Sequence, residues 1–383
     1  GVVTAKAVGS GNIGRLNQII HCAAGLTCVL SLVFTVLGLI MAPEFLRWIQ
    51  TPTDVLENAT AYLRLYLLSL ISIVSYNMGS GILRALGNTK SPTLYQLAGG
   101  IANIIGNTLF ICFLDWGVQG AALATACSQG LAAFLIIRHL CTIKTPYRLR
   151  LRQLQINASI CGQFLLVGIP AAIQSIVITL SNLIVQAHIN QLGIDSMAAF
   201  TAYFKVENFI YLPIMAFGQA CSTFTSQNIG ANQVDRAKQG VKTSLFLGIT
   251  VTISASVLTL CFSDFAFGLF SKEPAVIALG TKIAFVAYPF YFIYVFLEVY
   301  ASAIRGAGKA LPAMLIVVIN MCVVRTCILK VVLHFYPNAL GVAAIYPLTW
   351  ACTGLCLFLY YKSGGWFSAQ TDVARKRIPV GQR

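Results

Sequence analysis

Long apolar stretches alternate with short polar connections along nearly the whole chain. A helix needs roughly 20 apolar residues to cross a hydrocarbon layer of about 30 Å. Ten windows of about this length carry few charges, and they run over 18–42, 61–83, 95–114, 118–137, 162–187, 196–222, 244–270, 279–304, 313–334 and 341–361. The pattern predicts an all-α protein that crosses a lipid bilayer many times, with no separate soluble domain in these 383 residues.

Composition and charge agree with a membrane protein. Of the 383 residues, 57% are hydrophobic and 10% are charged. A net charge of +15 would suggest a nucleic-acid partner in a soluble protein, but nineteen of the 26 Lys and Arg lie in alternate connections. The opposite connections hold Arg47 and Lys272. This alternation follows the positive-inside rule, so we expect both chain ends in the cytoplasm, the bilayer as a partner and no nucleic acid.

The two halves of the chain repeat each other with one offset of 221 residues and no gap. The pairs that align in this register are Gly9 with Gly230, Arg15 with Arg236, Arg84 with Arg305, Gly87 with Gly308 and Gly120 with Gly341. A chance alignment of several loop arginines and glycines in one register is improbable. Duplicated bundles of this kind are typical of secondary transporters.

The repeat predicts four segments. They are an N-terminal transmembrane bundle with about four full helices over 1–141, a basic cytoplasmic linker over 142–160, a six-helix bundle over 161–362 and a cytoplasmic tail over 363–383. Counting back 221 residues from the start of the second bundle leads to a point before Gly1. We therefore expect that the first bundle lacks its first helix and most of its second in this sequence.

Four motifs carry a resemblance to a known family. They are GILRALGNTKSP at 81–92, SAIRGAGKALP at 302–312, QNIGANQVDRAKQG at 227–240 and the degenerate GSGNIGRLNQ at 9–18. Together they resemble the multidrug and toxic compound extrusion (MATE) family, most closely its DinF-like bacterial branch. The resemblance implies two six-helix bundles related by a pseudo-two-fold axis along the membrane normal. It also implies a multi-pass protein of the bacterial plasma (inner) membrane.

The resemblance further implies an antiporter that exports organic cations, drugs or other xenobiotics by alternating access, driven by Na⁺ or H⁺. The alternatives are a flippase for lipid-linked oligosaccharides of the same superfamily, and a channel or receptor. We expect no enzyme activity, since no Ser/His/Asp set, HExxH motif or phosphate loop occurs. We also expect a monomer with no cofactor other than the coupling ion, and no metal site among the scattered cysteines and histidines.

Four charged residues lie deep inside apolar windows, where a charge costs at least ~2.5–3.5 kcal/mol on insertion scales. They are Lys205, Glu207, Glu298 and Arg325. We expect Glu298 or Glu207 to bind the coupling Na⁺ or proton, with Glu298 favoured, and Arg325 and Lys205 to be their charge partners. A fixed structural ion pair is the alternative. The residue 221 positions before Glu298 is Asn77, so we expect different chemistry in the two bundles.

Uncharged polar residues and tyrosines complete the predicted substrate cleft. Ser175, Thr179, Asn182 and Gln186 recur at helical spacing in one window, as do Asn103 and Asn107 in another. Gln174 is also expected in the cleft. Tyr211 and Tyr294 lie in the same windows as the two glutamates, and aromatic faces can hold an organic cation. Helix-to-helix hydrogen bonding and plain packing are the alternative roles.

Arg84 and Arg305 each precede a glycine and a proline in the two copies of the repeat. We expect both arginines in tight cytoplasmic turns, with a structural role and not as ligands of a substrate.

Overall fold

The computed structural model describes residues 1–367, and within them the chain forms helices, turns and loops without a β-strand. The chain divides into two compact units, one over Val3–Gln163 and one that begins at Phe164. The predicted all-α fold is therefore confirmed for the described residues. Most of the predicted tail over 363–383 lies outside them.

The first unit contains six helices. They are α1 Val2–Gly9, α2 Ile13–Trp48, α3 Thr53–Leu68, α4 Leu70–Ala85, α5 Lys90–Asn107 and α6 Gly117–Thr142. A π-helical segment, Thr108–Phe113, continues α5, and a single 3₁₀ turn, Leu151–Gln153, lies in the basic segment that follows α6.

The second unit contains most of α7 and all later helices. They are α7 Ala158–Gln191, α8 Ile194–Gly230, α9 Val234–Cys261, α10 Ser263–Gly268, α11 Pro274–Ala287, α12 Tyr291–Gly306, α13 Ala310–Ile319, α14 Arg325–Phe335 and α15 Ala339–Lys362. The 3₁₀ turn Tyr288–Phe290 joins α11 to α12, and the π-helical segment Asn320–Val324 joins α13 to α14.

All ten predicted windows fall on long helices or on pairs of helices that continue one another. Nine of these in the described chain are long and apolar enough to cross a membrane. The tenth, α8, has 37 residues but is more polar, since it carries Lys205, Glu207 and several amides. Large apolar side chains such as Phe113 and Leu166 are exposed on the protein surface. Hydrocarbon is the solvent that such surfaces favour.

Helix ends reproduce the 221-residue repeat. That offset carries α4, Leu70–Ala85, onto α12, Tyr291–Gly306, at both ends. It likewise carries the first residue of α2 onto the first residue of α9, and the first residue of α3 onto the first residue of α11. The repeat seen in the sequence is thus a repeat of helices.

The turns after α4 and α12 explain the repeated glycines. Gly87 and Gly308 adopt φ of +88° and +90°, a left-handed conformation that glycine reaches without steric cost. After α4, the Gly87 N–H donates to Arg84 O and the Asn88 N–H to Leu83 O. The corresponding bonds recur 221 residues later. This pair of bonds is the Schellman ending of a helix.

Helices α8 and α12 approach each other closely enough near Gly306 for their backbones to be in contact. The Ser226 hydroxyl donates to Gly306 O at 2.8 Å, which ties one backbone to the other helix. A Cβ atom on Gly306 would lie 2.5 Å from Ser222 O. Only a residue without a side chain fits there, so the second unit depends on this contact for its packing.

We expect Gly306→Ala to destabilise the protein, because overpacking of a tight contact costs about 1–3 kcal/mol. Thermal unfolding of the purified protein in detergent measures the effect as a lower Tm. Gly100→Ala is the matched control, since a Cβ there would meet no heavy atom within 4 Å. Equal Tm values for the two variants would contradict the close approach.

Candidate functional site

A cavity of about 700 Å³ lies within the second unit. Side chains from α7, α8, α12, α14 and α15 line it, together with residues of α13 and the π-helical segment after it. Its polar and charged lining residues are Gln174, Ser175, Thr179, Asn182, Gln186, Glu207, Asn208, Glu298, Arg305 and Arg325. This size falls in the range of small-molecule binding sites. The cavity is therefore our candidate site.

The face of α7 explains most of the uncharged polar lining. Ser175, Thr179, Asn182 and Gln186 follow one another at intervals of three or four residues, which places them on one side of a helix. The face predicted for these four residues lies in the cavity wall, and Gln174, which was predicted for the substrate cleft, lines the same cavity. Their contact with a substrate stays a prediction.

Glu298 forms a buried ion pair on the side of α12. Its side chain is 8% exposed, and its Oε1 accepts from Arg305 Nη2 at 2.9 Å. The Ser302 hydroxyl donates to the same oxygen at 2.8 Å, and Arg305 Nη2 also donates to Ser302 Oγ. The three residues are spaced by four and three positions, so they stack along one helical face.

This pairing corrects two expectations. Arg325 and Lys205 were expected to be the charge partners of the glutamates, but Arg305 is the residue that pairs with Glu298. Arg325 attracts Glu207 electrostatically without a close ion pair in the described part of the chain. Arg305 was expected in a cytoplasmic turn without a role at the site. It is still within α12, and its long side chain points back along the helix by two turns and reaches the cavity wall. The spacing of Glu298, Ser302 and Arg305 was the signal in the sequence.

Glu207 has different surroundings. It lies on α8 in the cavity wall and is half-buried. The Tyr291 hydroxyl donates to its Oε1. Among residues 1–367, no basic side chain forms an ion pair with Glu207. Its carboxylate therefore has one neutral hydrogen-bond partner, lines the cavity and attracts Arg325 without a close ion pair.

Arg325 and Lys205 are placed apart. Arg325 is 3% exposed and lines the cavity, where its Nη1 donates to Asn182 Oδ1 at 2.8 Å and to Ser181 Oγ at 3.3 Å. Lys205 is exposed, its ammonium lies 5.6 Å from the centre of the Phe270 ring, and it does not line this cavity. The expected role of Lys205 as a charge partner is wrong, because its side chain leaves α8 on another side.

Aromatic rings form one wall of the cavity. Tyr294 lies 5.7 Å from Tyr211, 6.4 Å from Tyr291 and 5.3 Å from Trp350, measured between ring centres. All four residues line the cavity. The expected position of Tyr211 and Tyr294 near the glutamates is thus observed, while Trp350 was not anticipated because α15 shows no polar stripe.

Asn103 and Asn107 belong to the first unit and do not line this cavity. The Asn103 amide donates to Thr125 Oγ1 and Ser128 Oγ, both at 3.4 Å, and Asn107 donates to Asn103 Oδ1 at 3.0 Å. These contacts join α5 to α6, which matches the alternative role of hydrogen bonding between helices.

Known proteins resemble this chain over most of its length. A family model described as MatE matches residues 1–109 and 170–329. The chain is 25% identical over 370 residues to the "probable multidrug resistance protein YoeA" of Bacillus subtilis (strain 168), which covers 94% of this chain and 80% of that protein. It is also 25% identical to an FAD transporter of Shewanella oneidensis. That alignment of 326 residues covers 83% of this chain and 70% of the transporter.

A crystal structure of MATE in complex with MaL6 has the same fold. The TM-score is 0.90 at 19% identity, over 97% of this chain and 83% of that one. At this identity the likeness shows the fold alone. The predicted arrangement of helices in two repeated bundles is confirmed by it.

We expect both Glu298→Gln and Arg305→Gln to lower the thermal stability, because breaking a buried ion pair costs about 3–5 kcal/mol. The double variant should lose less than the sum of the two single variants, since it leaves no unpaired charge. Thermal unfolding in detergent measures all three variants.

The matched control is Glu44→Gln, which removes a carboxylate from the exposed Arg47–Glu44 pair. Exposed pairs contribute about 0–1 kcal/mol, so this variant should unfold near the wild-type temperature. Additive losses in the Glu298 and Arg305 variants would show that the two side chains are not coupled.

Proposed function

Because this chain belongs to the MatE family, we propose that it is an antiporter that exports small organic molecules across a bacterial plasma membrane in exchange for Na⁺ or H⁺. The single observation that carries the proposal is a polar cavity among membrane-spanning helices that holds a carboxylate without an ion-pair partner. Ionisable groups at such positions usually mark ion or substrate paths.

The contacts support Glu207, and not Glu298, as the residue that binds the coupling ion. Arg305 and Ser302 both hold the carboxylate of Glu298, so an incoming proton or Na⁺ would have to displace a buried partner. Glu207 receives one neutral hydrogen bond from Tyr291. Binding of a cation at Glu207 neutralises it without breaking an ion pair.

The cavity wall supports an organic substrate with an aromatic or cationic part. The rings of Tyr291, Tyr294 and Trp350 lie within 6.4 Å of one another, centre to centre, and the Tyr291 hydroxyl donates to the Glu207 carboxylate. Organic cations bind such faces, with about 0.5–2 kcal/mol per favourable contact.

The names of the relatives support the transport of organic molecules, but they do not narrow the chemical class of the substrate. One similar protein is named for multidrug resistance and another for the transport of FAD. A strongly cationic cavity would favour the alternative of a lipid-linked oligosaccharide flippase. Two carboxylates and two guanidiniums line the cavity instead, and their formal charges cancel.

The test is efflux of a fluorescent organic cation from proteoliposomes that contain the full chain, with Na⁺ and proton gradients imposed separately. We expect one of the gradients to drive the exchange. We expect Glu207→Gln to abolish gradient-driven exchange, because an amide cannot take up and release the coupling ion, while equilibrium binding of the dye persists.

Glu57→Gln is the control, since Glu57 is an exposed carboxylate of α3 in the first unit and should transport like the wild type. Transport by Glu207→Gln at the wild-type rate would remove Glu207 from the coupling step. Absence of gradient-driven efflux in the wild type under both gradients would overturn the antiporter and favour the flippase.

A further inference from the structure

Two cysteine side chains meet in the first unit, at the end of the basic linker. Cys22 lies on α2 and Cys161 lies in the first turn of α7, and both residues belong to the first unit. Their sulfurs are 3.6 Å apart, and both thiols are free. Among the cysteines of residues 1–367, no other two sulfurs are in contact. This pair therefore differs from the other cysteines, which are scattered singly.

Asn157 holds the two cysteines together. Its N–H donates to Cys22 Sγ at 3.5 Å, and its carbonyl oxygen accepts from the Cys161 N–H at 2.8 Å. Its side-chain oxygen accepts from the N–H groups of Ser159 and Ile160, which caps the start of α7. The first turn of α7 is thus fixed against α2.

The linker also contacts α2 on either side of the cysteine pair. The Arg150 N–H donates to His21 Nε2 at 3.1 Å. A Cβ atom on Gly25 would lie 2.9 Å from Gln155 O, so the backbone of the linker touches α2 there. His21 and Gly25 are four positions apart and share one face of α2. Because these contacts hold the linker in place, the two sulfurs are kept near each other.

The two thiols differ in their access to solutes. Cys22 is 0% exposed, whereas Cys161 is partly exposed. An oxidant therefore reaches Cys161 first, and Cys22 is placed to react with the oxidised sulfur. A disulfide has an S–S bond of about 2 Å, so the sulfurs, now 3.6 Å apart, close this gap by small rotations of the side chains. A reactive cysteine beside a resolving cysteine is typical of redox-sensing pairs.

We propose that Cys22 and Cys161 are a site of reversible oxidation, at which hydrogen peroxide converts the two thiols into a disulfide that joins α2 to α7. The Cys161 sulfur attacks the peroxide, the O–O bond breaks, and water leaves as the sulfur becomes a sulfenic acid. The Cys22 sulfur attacks that sulfur, the S–O bond breaks, and a second water leaves with the Cys22 proton. The thiols lose two electrons and two protons in total, and the peroxide takes up both.

The disulfide would act at a particular point of the chain. Cys161 lies three residues before Phe164, where the second unit begins. The bond therefore restrains the segment through which the chain enters the second unit. The linker is predicted to be cytoplasmic, and in that compartment thiols are kept reduced and disulfides are usually transient. The free thiols are accordingly the resting state. This site depends neither on the transported substrate nor on the coupling ion.

The test uses a cut in the linker. Four exposed trypsin sites lie between the two cysteines, at Lys144, Arg148, Arg150 and Arg152. The full chain in nanodiscs is treated with hydrogen peroxide and then with limiting trypsin, and its remaining thiols are blocked with N-ethylmaleimide in denaturant. On a gel without reductant, we expect the two fragments to separate before peroxide treatment and to stay joined after it. Dithiothreitol should separate them again.

Three variants locate the link. Cys22→Ser and Cys161→Ser should each give separated fragments after peroxide treatment, because one sulfur of the pair is missing. In Cys22→Ser the sulfenic acid on Cys161 has no resolving thiol, so it should accumulate and react with dimedone. Cys28→Ser is the matched control, since it removes an exposed thiol from the same helix. Its fragments should stay joined as in the wild type.

Two results would overturn the proposal. One is the separation of the wild-type fragments after peroxide treatment. The other is a joined product in Cys22→Ser or Cys161→Ser, because other cysteines would then form the link. Mass spectrometry of the joined wild-type product should find the peptides of Cys22 and Cys161 linked and lighter by two hydrogen atoms. This measurement on the wild type does not require that any variant folds.

Discussion

The organisation of the second unit follows from one constraint, the cost of a charge in hydrocarbon, which is at least ~2.5–3.5 kcal/mol on insertion scales. Each charged side chain in the cavity wall meets this constraint in its own way. Glu298 and Arg305 pair with each other. Glu207 accepts a hydrogen bond from a phenol. Arg325 lies against the Tyr346 ring and donates hydrogen bonds to two neutral oxygens. The first arrangement is satisfied internally, whereas the half-buried Glu207 lines the cavity with one neutral hydrogen bond and no ion pair in the described chain.

The fold followed from the sequence because its signals are local and repeated. Apolar windows set the helices, and the left-handed glycines Gly87 and Gly308 set their ends at the same place in both copies. The face of α7 was predictable for a related reason, since helical spacing alone decides which side chains share a side. Helical periodicity alone therefore predicted that the polar residues of α7 from Ser175 to Gln186 share one face, and that face lines the cavity.

The pairing of the charges was not predictable in this way. A long side chain such as Arg305 reaches two helical turns from its own Cα, so its place in the sequence, at a helix end, does not fix where its charge lies. Lys205 is two positions from Glu207, and this short separation sends the two side chains to different sides of α8. Partners across a cavity depend on packing between helices, which one sequence without its relatives does not encode locally.

With Glu298 and Arg305 neutralising each other, the occupancy of Glu207 decides the net charge of the cavity. When Glu207 is ionised, the formal charges of the wall cancel; when it holds a proton or Na⁺, the charge of Arg325 is uncompensated. Binding free energies that are linked in this way are reciprocal. Under the proposed antiport, a cationic substrate and the coupling ion would exclude each other at Glu207, so the binding of one would favour the release of the other, as exchange requires.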